Sequence, residues 1–572
     1  GDAVAKDAKF ETGVSFGSTG ADEPYSSLTD KDGNYYISGM CRGDVEFADG
    51  ATIKGRGGMD AVIVKYDAEL NFLWARAVGG SKDDTFERIA VTSAGDIVAV
   101  GKISGDVTID GTDQTLSGTQ STDGCIVVYD KDGNYKSSAQ IKAAGASLCY
   151  SVAVDKSDNI FVTGSTVGAT DFGNEKTVTI DGGNPGTFLA CYNNSLVCQW
   201  AIAGSSPVQS YGWAVSFDKE ENILLTGRFG TTFTITGTDG EALTTAVGSE
   251  SSQDTYVAKL SHEGVGQWIT YVTNSNRIDT RSIDSDSQGN VYIWGHCQSA
   301  VTPEGQSPLG FNGNFDSFLI KYSSAGAYLD GMNLGGSGRD EAKSLFVDAD
   351  DNIYVAGNVN GDGSKGGTAV NMNPRGESKD YTFKGHDGYV AKYNGSTWEL
   401  MQLEKTVTPD NANQHEVAWC VTMSPDYNKV YVTGYFNNGA TVFDGASLTL
   451  PFVRDYDIYT VLYSYTLMVK TKTLEPGVAN EPYYSNIVVD NVEGAVKFEI
   501  VSGALPDGIT LSKDGAFAGT PTKNGSYTFT VKISDDVSSI QKEYTLVIKS
   551  GEGCDVFIVT DQCPDAYIGY PY

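Results

Sequence analysis

One seven-residue phrase recurs along most of the chain, and a period of that kind constrains the fold more than composition can. The copies are Gly33-Asn-Tyr-Tyr-Ile-Ser-Gly39, Gly95-Asp-Ile-Val-Ala-Val-Gly101, Asp158-Asn-Ile-Phe-Val-Thr-Gly164, Glu221-Asn-Ile-Leu-Leu-Thr-Gly227, Gly289-Asn-Val-Tyr-Ile-Trp-Gly295, Asp351-Asn-Ile-Tyr-Val-Ala-Gly357 and Asn428-Lys-Val-Tyr-Val-Thr-Gly434. Their closing glycines lie 62, 63, 63, 68, 62 and 77 residues apart. A second apolar phrase follows each copy and opens on an aspartate in six of them: Asp60, Asp123, Asp254, Asp316, Asp387 and Asp457.

Each unit holds four β-rich runs, in the second unit 86–92, 96–101, 123–129 and 135–143. β-Branched and aromatic residues fill the runs, and Gly, Asp and Asn punctuate them. A four-stranded unit repeated seven times is the pattern of propeller blades. The seventh unit lacks its fourth strand, whereas residues 9–16 read as a spare copy of one, so the N-terminal segment is expected to close the ring. Turns such as Asp30-Lys-Asp-Gly-Asn34 carry fragments of a calcium loop but lack its terminal glutamate. They read better as strand turns.

The formal charge of −33, from 40 basic and 73 acidic residues, makes nucleic acid and anionic membranes poor partners. No run of 18 apolar residues is present, so no transmembrane segment is expected. Nine cysteines leave the compartment open. Cys554 and Cys563 lie in a short tail, and a two-residue turn at Asn194-Ser195 would set Cys191 opposite Cys198. Two such disulfides would favour an oxidising compartment; buried free thiols are the alternative.

The repeated phrases resemble those of the bacterial β-propeller repeat family called SBBP, with the best fit at 387–393, 73–80 and 347–357. The resemblance covers roughly residues 8–464. It implies a secreted or surface-attached propeller and no particular reaction. Past Tyr463 the period stops. Leu505-Pro-Asp-Gly-Ile-Thr-Leu511, Gly515-Ala-Phe-Ala-Gly-Thr-Pro521 and Gly525-Ser-Tyr-Thr-Phe-Thr-Val531 resemble the immunoglobulin-like, cadherin-like domain of bacterial surface proteins, which implies a spacer or adhesive module. The expected organisation is therefore all-β: a seven-bladed propeller over 1–464, an immunoglobulin-like sandwich over 465–549, and an unassigned tail over 550–572.

The second-to-third connections are long, 20, 21, 21, 26, 20, 29 and 22 residues, and all emerge on one face. Loops of that length usually have structure or function of their own, so this face is read as a recognition platform. An apolar residue repeated in four of them (Phe47, Ile109, Phe172, Ile235) reads as packing. Binding is expected where the copies disagree, at Trp294, His296, Asn371, Arg375, His386, His415, Trp419 and Arg454. Arg375 and Arg454 would suit an acidic sugar or carboxylate. Three of the four histidines share this face, but without the spacing of a zinc site. There is no Gly-x-Ser-x-Gly elbow and no P-loop.

The reading is a non-catalytic, secreted or cell-surface binding or adhesion protein. Its partner would be a carbohydrate or a surface protein. A monomer is expected, with lipid anchoring through a removed N-terminal segment kept open. No cofactor is expected, with calcium kept open. The rival is a polysaccharide-acting enzyme with its site at the channel mouth; a structural envelope component is the third reading.

Overall fold

In the computed structural model, which describes residues 6–119, 121–245, 253–361, 367–407, 415–437, 442–443 and 450–551, the regular elements are all β-strands. Among the described residues they form two compact units, 12–462 and, separately, 6–11 with 463–551.

The larger unit is a ring of antiparallel sheets, one for each repeat. The first sheet runs outward in chain order through Glu23–Thr29, Tyr35–Cys41, Asp60–Tyr66 and Phe72–Gly80. The seven innermost strands are Glu23–Thr29, Thr85–Val91, Ser147–Val154, Ser210–Phe217, Ile278–Ser285, Glu341–Val347 and Glu416–Met423. Each packs on the next, and the last returns to the first. The core lies between blades: Tyr36, Ala61 and Ile63 of the first pack on Ile97, Ala99 and Val127 of the second. Because both faces of each blade are covered, the middle strands are continuous apolar runs rather than alternating ones; Asp60–Tyr66 is buried at every residue.

Closure falls in the seventh sheet, where Lys9–Phe16 lies outside Asp457–Ser464. Phe16 is buried against Ile458 and Leu462, and Ser15 Oγ donates to the Pro451 carbonyl at 2.7 Å. Tyr35 stacks on Tyr431 at 4.6 Å across the same seam.

The Asp-rich segments are turns. The Asp30 carboxylate accepts the backbone N–H groups of Asp32 and Asn34 at 3.0 and 2.9 Å, and Gly33 supplies the positive φ of 85° the turn requires. In three blades a carboxylate-bearing residue takes that strained position: Asp158, Glu221 and Asp351, with φ of 63°, 62° and 64°. Each reaches back to the preceding blade. Asp158 accepts Ser93 N at 2.7 Å, Glu221 accepts Lys156 N at 2.6 Å and Asp351 accepts Ser287 N at 2.7 Å. Charge-assisted bonds of this kind offset the left-handed backbone.

Three of the long connections read as a recognition platform are built largely of paired strand. They fold back as hairpins against the preceding blade. Asp106–Ile109 and Thr115–Ser117 extend the first sheet beyond Phe72–Gly80, Gly168–Asp171 and Thr177–Ile180 extend the second, and Thr234–Thr236 and Ala242–Thr244 extend the third. An open edge strand would otherwise template pairing with another chain. Phe47, Ile109, Phe172 and Ile235 are buried as the packing faces of these segments.

The aspartates opening the third strands cap the connections: Asp60 accepts Arg56 N at 2.8 Å and Asp316 accepts Asn312 N at 2.6 Å. A second set ties each blade-to-blade connection to a neighbouring strand end. Asp84 accepts Gly80 N and Ser104 N, and Asp340 accepts Gly336 N and Asn360 N. Burial outweighs these hydrogen bonds and pushes Asp22, Asp84 and Asp457 up to about 6 and Asp340 up to about 7.

In the second unit, the strands Gly477–Val478, Ser539–Lys549, Gly525–Ser534 and Lys497–Gly503 form one sheet. Tyr483–Asn486, Ala516–Gly519 and Ile509–Leu511 form another. Phe517, Phe529, Val531, Tyr544 and Leu546 are buried in its core. Asp535 caps a turn by accepting the N–H groups of Glu493, Val537 and Ser538.

Two outcomes follow from this architecture. Deleting residues 1–17 strips the outer strand from the seventh sheet, and thermal melting should show the propeller transition lowered by about 5–10 °C or more. Mild acid should stabilise the chain. The folded pKa values of Asp22, Asp84, Asp340 and Asp457 lie above the unfolded value near 4, so the folded state binds more protons between about pH 4 and 7. That stabilisation is complete below about pH 4 and is lost as pH rises through 6–7. Calorimetry at constant ionic strength should give a higher Tm at pH 5 than at pH 8.

Candidate functional site

The closing glycine of each repeat faces an irregularity in the innermost strand. In the first blade Pro24 pairs with Gly39 and Ser26 with Ser38, leaving Tyr25 as an extra residue. The same bulge recurs in every blade, opposite Gly101, Gly164, Gly227, Gly295, Gly357 and Gly434. A Cβ on any of these glycines would overlap the carbonyl group of the inner strand: Thr85 O for Gly101 and Val417 O for Gly434. The bulged residues are Tyr25, Glu87, Tyr150, Trp213, Arg281, Lys343 and Trp419. A β-bulge re-aims a side chain, and all seven line one cavity of about 430 Å³ on the propeller axis. They are the third or fourth residue of each inner strand, about 7–10 Å from the strand end on the face bearing the long connections.

The cavity is cationic in an acidic chain. Five cations line it, Arg88, Arg228, Arg277, Arg281 and Lys343, against two carboxylates, Glu87 and Asp279. Asp279 is buried; its Oδ1 accepts Arg228 Nη2 at 2.5 Å, and its Oδ2 forms ion pairs with Arg277 Nη2 at 2.6 Å, His296 Nε2 at 3.3 Å and Arg281 Nη2 at 3.7 Å. Burial alone would raise Asp279, but His296, Arg281 and Arg228 hold its carboxyl far below the usual carboxylate range. Lys343 donates to Glu341 at 2.9 Å, just outside the lining. Burial raises Glu87, whose Oε1 accepts Thr85 Oγ1 at 2.8 Å. The Nε–H groups of Arg88, Arg228, Arg277 and Arg281 are buried without an acceptor.

Aromatic rings complete the wall. Arg228 lies 4.4 Å from the Trp213 ring centroid and Lys343 4.1 Å from that of Trp419. Tyr25 meets Trp419 edge-on at 5.5 Å, and Tyr150 meets Tyr211 at 6.3 Å.

The residues expected to bind ligand are dispersed. Trp419 lines the cavity. Trp294 is fully buried between blades and donates from Nε1 to the Ala356 carbonyl at 3.1 Å, so it is core and not a ligand contact. His296 is likewise buried, behind Asp279. The Asn371 side chain caps the turn of its hairpin by accepting Asn373 N and Lys379 N. Arg375 pins that hairpin to Asp330 at 2.6 Å and to the Gly331 carbonyl. His386 and His415 stack at 4.1 Å; burial lowers both, His386 to about 4. Arg454 is exposed on a separate segment. The signal missed was a fixed offset: each bulged residue precedes its closing glycine by 14 positions, or 15 in the seventh blade.

Cys191 and Cys198 are free and buried, which corrects the disulfide expectation. Another bulge sets Cys198 opposite Tyr192 and Trp200 opposite Cys191. The two thiols therefore lie in cores on opposite faces of their sheet. Cys554 and Cys563 lie outside the described residues. Among the described residues no cluster of three or more metal-ligating side chains occurs, and no helix is long and apolar enough to cross a membrane.

Fold and channel together define an all-β propeller protein with an immunoglobulin-type domain. Residues 138–173 match the SBBP family, described as "Beta-propeller repeat", and residues 460–549 match He_PIG, described as "Putative Ig domain". An uncharacterized WD repeat-containing protein of Acanthamoeba polyphaga mimivirus is 22% identical over 435 residues, covering 62% of this chain and 31% of that protein. Among solved structures, a streptogramin B lyase aligns at 9% identity and TM-score 0.34 over 79% of this chain and 98% of its own. The periplasmic gluconolactonase of Pseudomonas aeruginosa aligns at 10% and 0.36 over 74% and 98%.

Alkylation without reductant should leave the thiols of Cys191 and Cys198 unlabelled in the folded protein and label both once it is denatured. Peptide mapping that finds the two joined would contradict the register.

Proposed function

We propose that this chain is a non-catalytic recognition protein of the secreted or cell-surface kind, which holds its ligand in the central channel of the propeller. The observation that carries the reading is the ring of seven bulges. The backbone device is identical in every blade, while the side chains it presents are Tyr, Glu, Tyr, Trp, Arg, Lys and Trp. Repetition of the device serves the fold; divergence of what it presents serves a ligand. The volume fits a small-molecule pocket or the end of a larger ligand, and aromatic walls set among charged hydrogen-bonding groups suit a carbohydrate. Of the two lining carboxylates, Asp279 is committed to Arg228 and Arg277, which disfavours the paired acid and base that glycoside hydrolysis uses. The immunoglobulin-type domain would act as the spacer or adhesive module.

The test is a glycan and protein binding screen of the full chain, repeated with Trp419→Ala. The substitution should weaken any hit by at least about tenfold, since buried aromatic contacts dominate binding energy, while circular dichroism remains unchanged. Equal binding by the variant, or turnover of a bound glycan, would contradict the reading.

A further inference from the structure

The channel has more positive charge than its own carboxylates neutralise. Asp279 serves Arg228 and Arg277 closely and Arg281 only at 3.7 Å. Arg88 has one long contact, 3.5 Å to the Arg281 carbonyl. These guanidinium groups come from different blades, on Thr85–Val91 and Ile278–Ser285, and converge on one cavity. Each has a buried Nε–H with no acceptor. A buried donor left unpaired costs free energy, and more so on a charged group. Like charges held close together are costly too. An arrangement of this kind persists when it is completed by an anion, and a planar guanidinium fork matches a planar carboxylate.

We propose that the ligand of the channel is a carboxylated sugar, one or two residues long, whose carboxylate sits between Arg88 and Arg281 and whose ring rests against Trp213. This rests on the channel being the ligand site. The aromatic wall argues for a ring rather than a bare inorganic anion. The cavity of about 430 Å³ lies at the lower end of the range for small-ligand pockets. Net charge supports selection as well: in a chain at −33, an acidic ligand is repelled by most of the surface and is held only where cations are concentrated.

Isothermal titration of the full chain would compare three probes of one linkage: digalacturonate, the neutral digalactoside, and a monosulfated digalactoside. The wild type is expected to bind digalacturonate at least tenfold tighter than the neutral sugar, and R281Q to abolish that difference. R88Q serves as a second variant should R281Q fail to fold, judged by its melting transition. Equal affinity for the acidic and neutral sugars overturns the proposal, as does preference for the sulfated sugar, or no binding of digalacturonate at millimolar concentration. Trp213→Ala separates the two readings. If the acidic preference is absent and it still weakens every sugar that binds, the channel remains the site and only the carboxylate assignment falls. If sugars bind and none of the three substitutions changes their affinity, both readings fall.

Discussion

The structure depends on a close approach of two backbones. At one point in every blade the innermost strand carries an extra residue, and the carbonyl two residues before it presses against the neighbouring strand where any Cβ would collide. Only glycine fits there, and the closing glycine of the repeated phrase supplies it. The bulge then turns one side chain of each blade toward the axis. Propeller geometry and channel chemistry are thus products of one steric requirement. A glycine-to-alanine change at such a position would disturb both together.

Around that requirement, the blades are held by apolar faces packed on both sides and by a few polar ties across the gaps. The carboxylates of Asp158, Glu221 and Asp351 reach back to the preceding turn from backbone positions that glycine fills elsewhere. The long connections cover the outer edges. What a linear reading takes for a surface of seven loops is in large part additional strand, spent on closing edges and on burying Phe47, Ile109, Phe172 and Ile235.

Electrostatics divides the molecule. The exterior of an acidic chain surrounds a channel whose wall is cationic, and the contrast comes from residues far apart in sequence. Arg88, Arg228, Arg281 and Lys343 belong to four different blades. Asp279 organises part of this set by binding Arg228 and Arg277 at once, and His296 backs it from the second strand of its own blade.

The repeat made the all-β propeller and the spare strand at residues 9–16 legible, because strand-forming runs and their turn residues are local properties. The Leu-Pro-Asp-Gly and Gly-Thr-Pro phrases did the same for the immunoglobulin-type domain. Trp419 was also within reach, since it breaks the pattern on an inner strand. Trp294 breaks the pattern as well, yet its blade neighbours bury it, and exposure depends on what packs alongside. Cys191 and Cys198 look opposed on a hairpin until a bulge shifts the register and places their thiols on opposite faces. The sequence by itself determined the blades, because sterics and periodicity act over a few residues. Only the tertiary structure decided the site, because a channel forms where seven distant strands meet, and which seven side chains share it depends on a bulge set by backbone contact across strands.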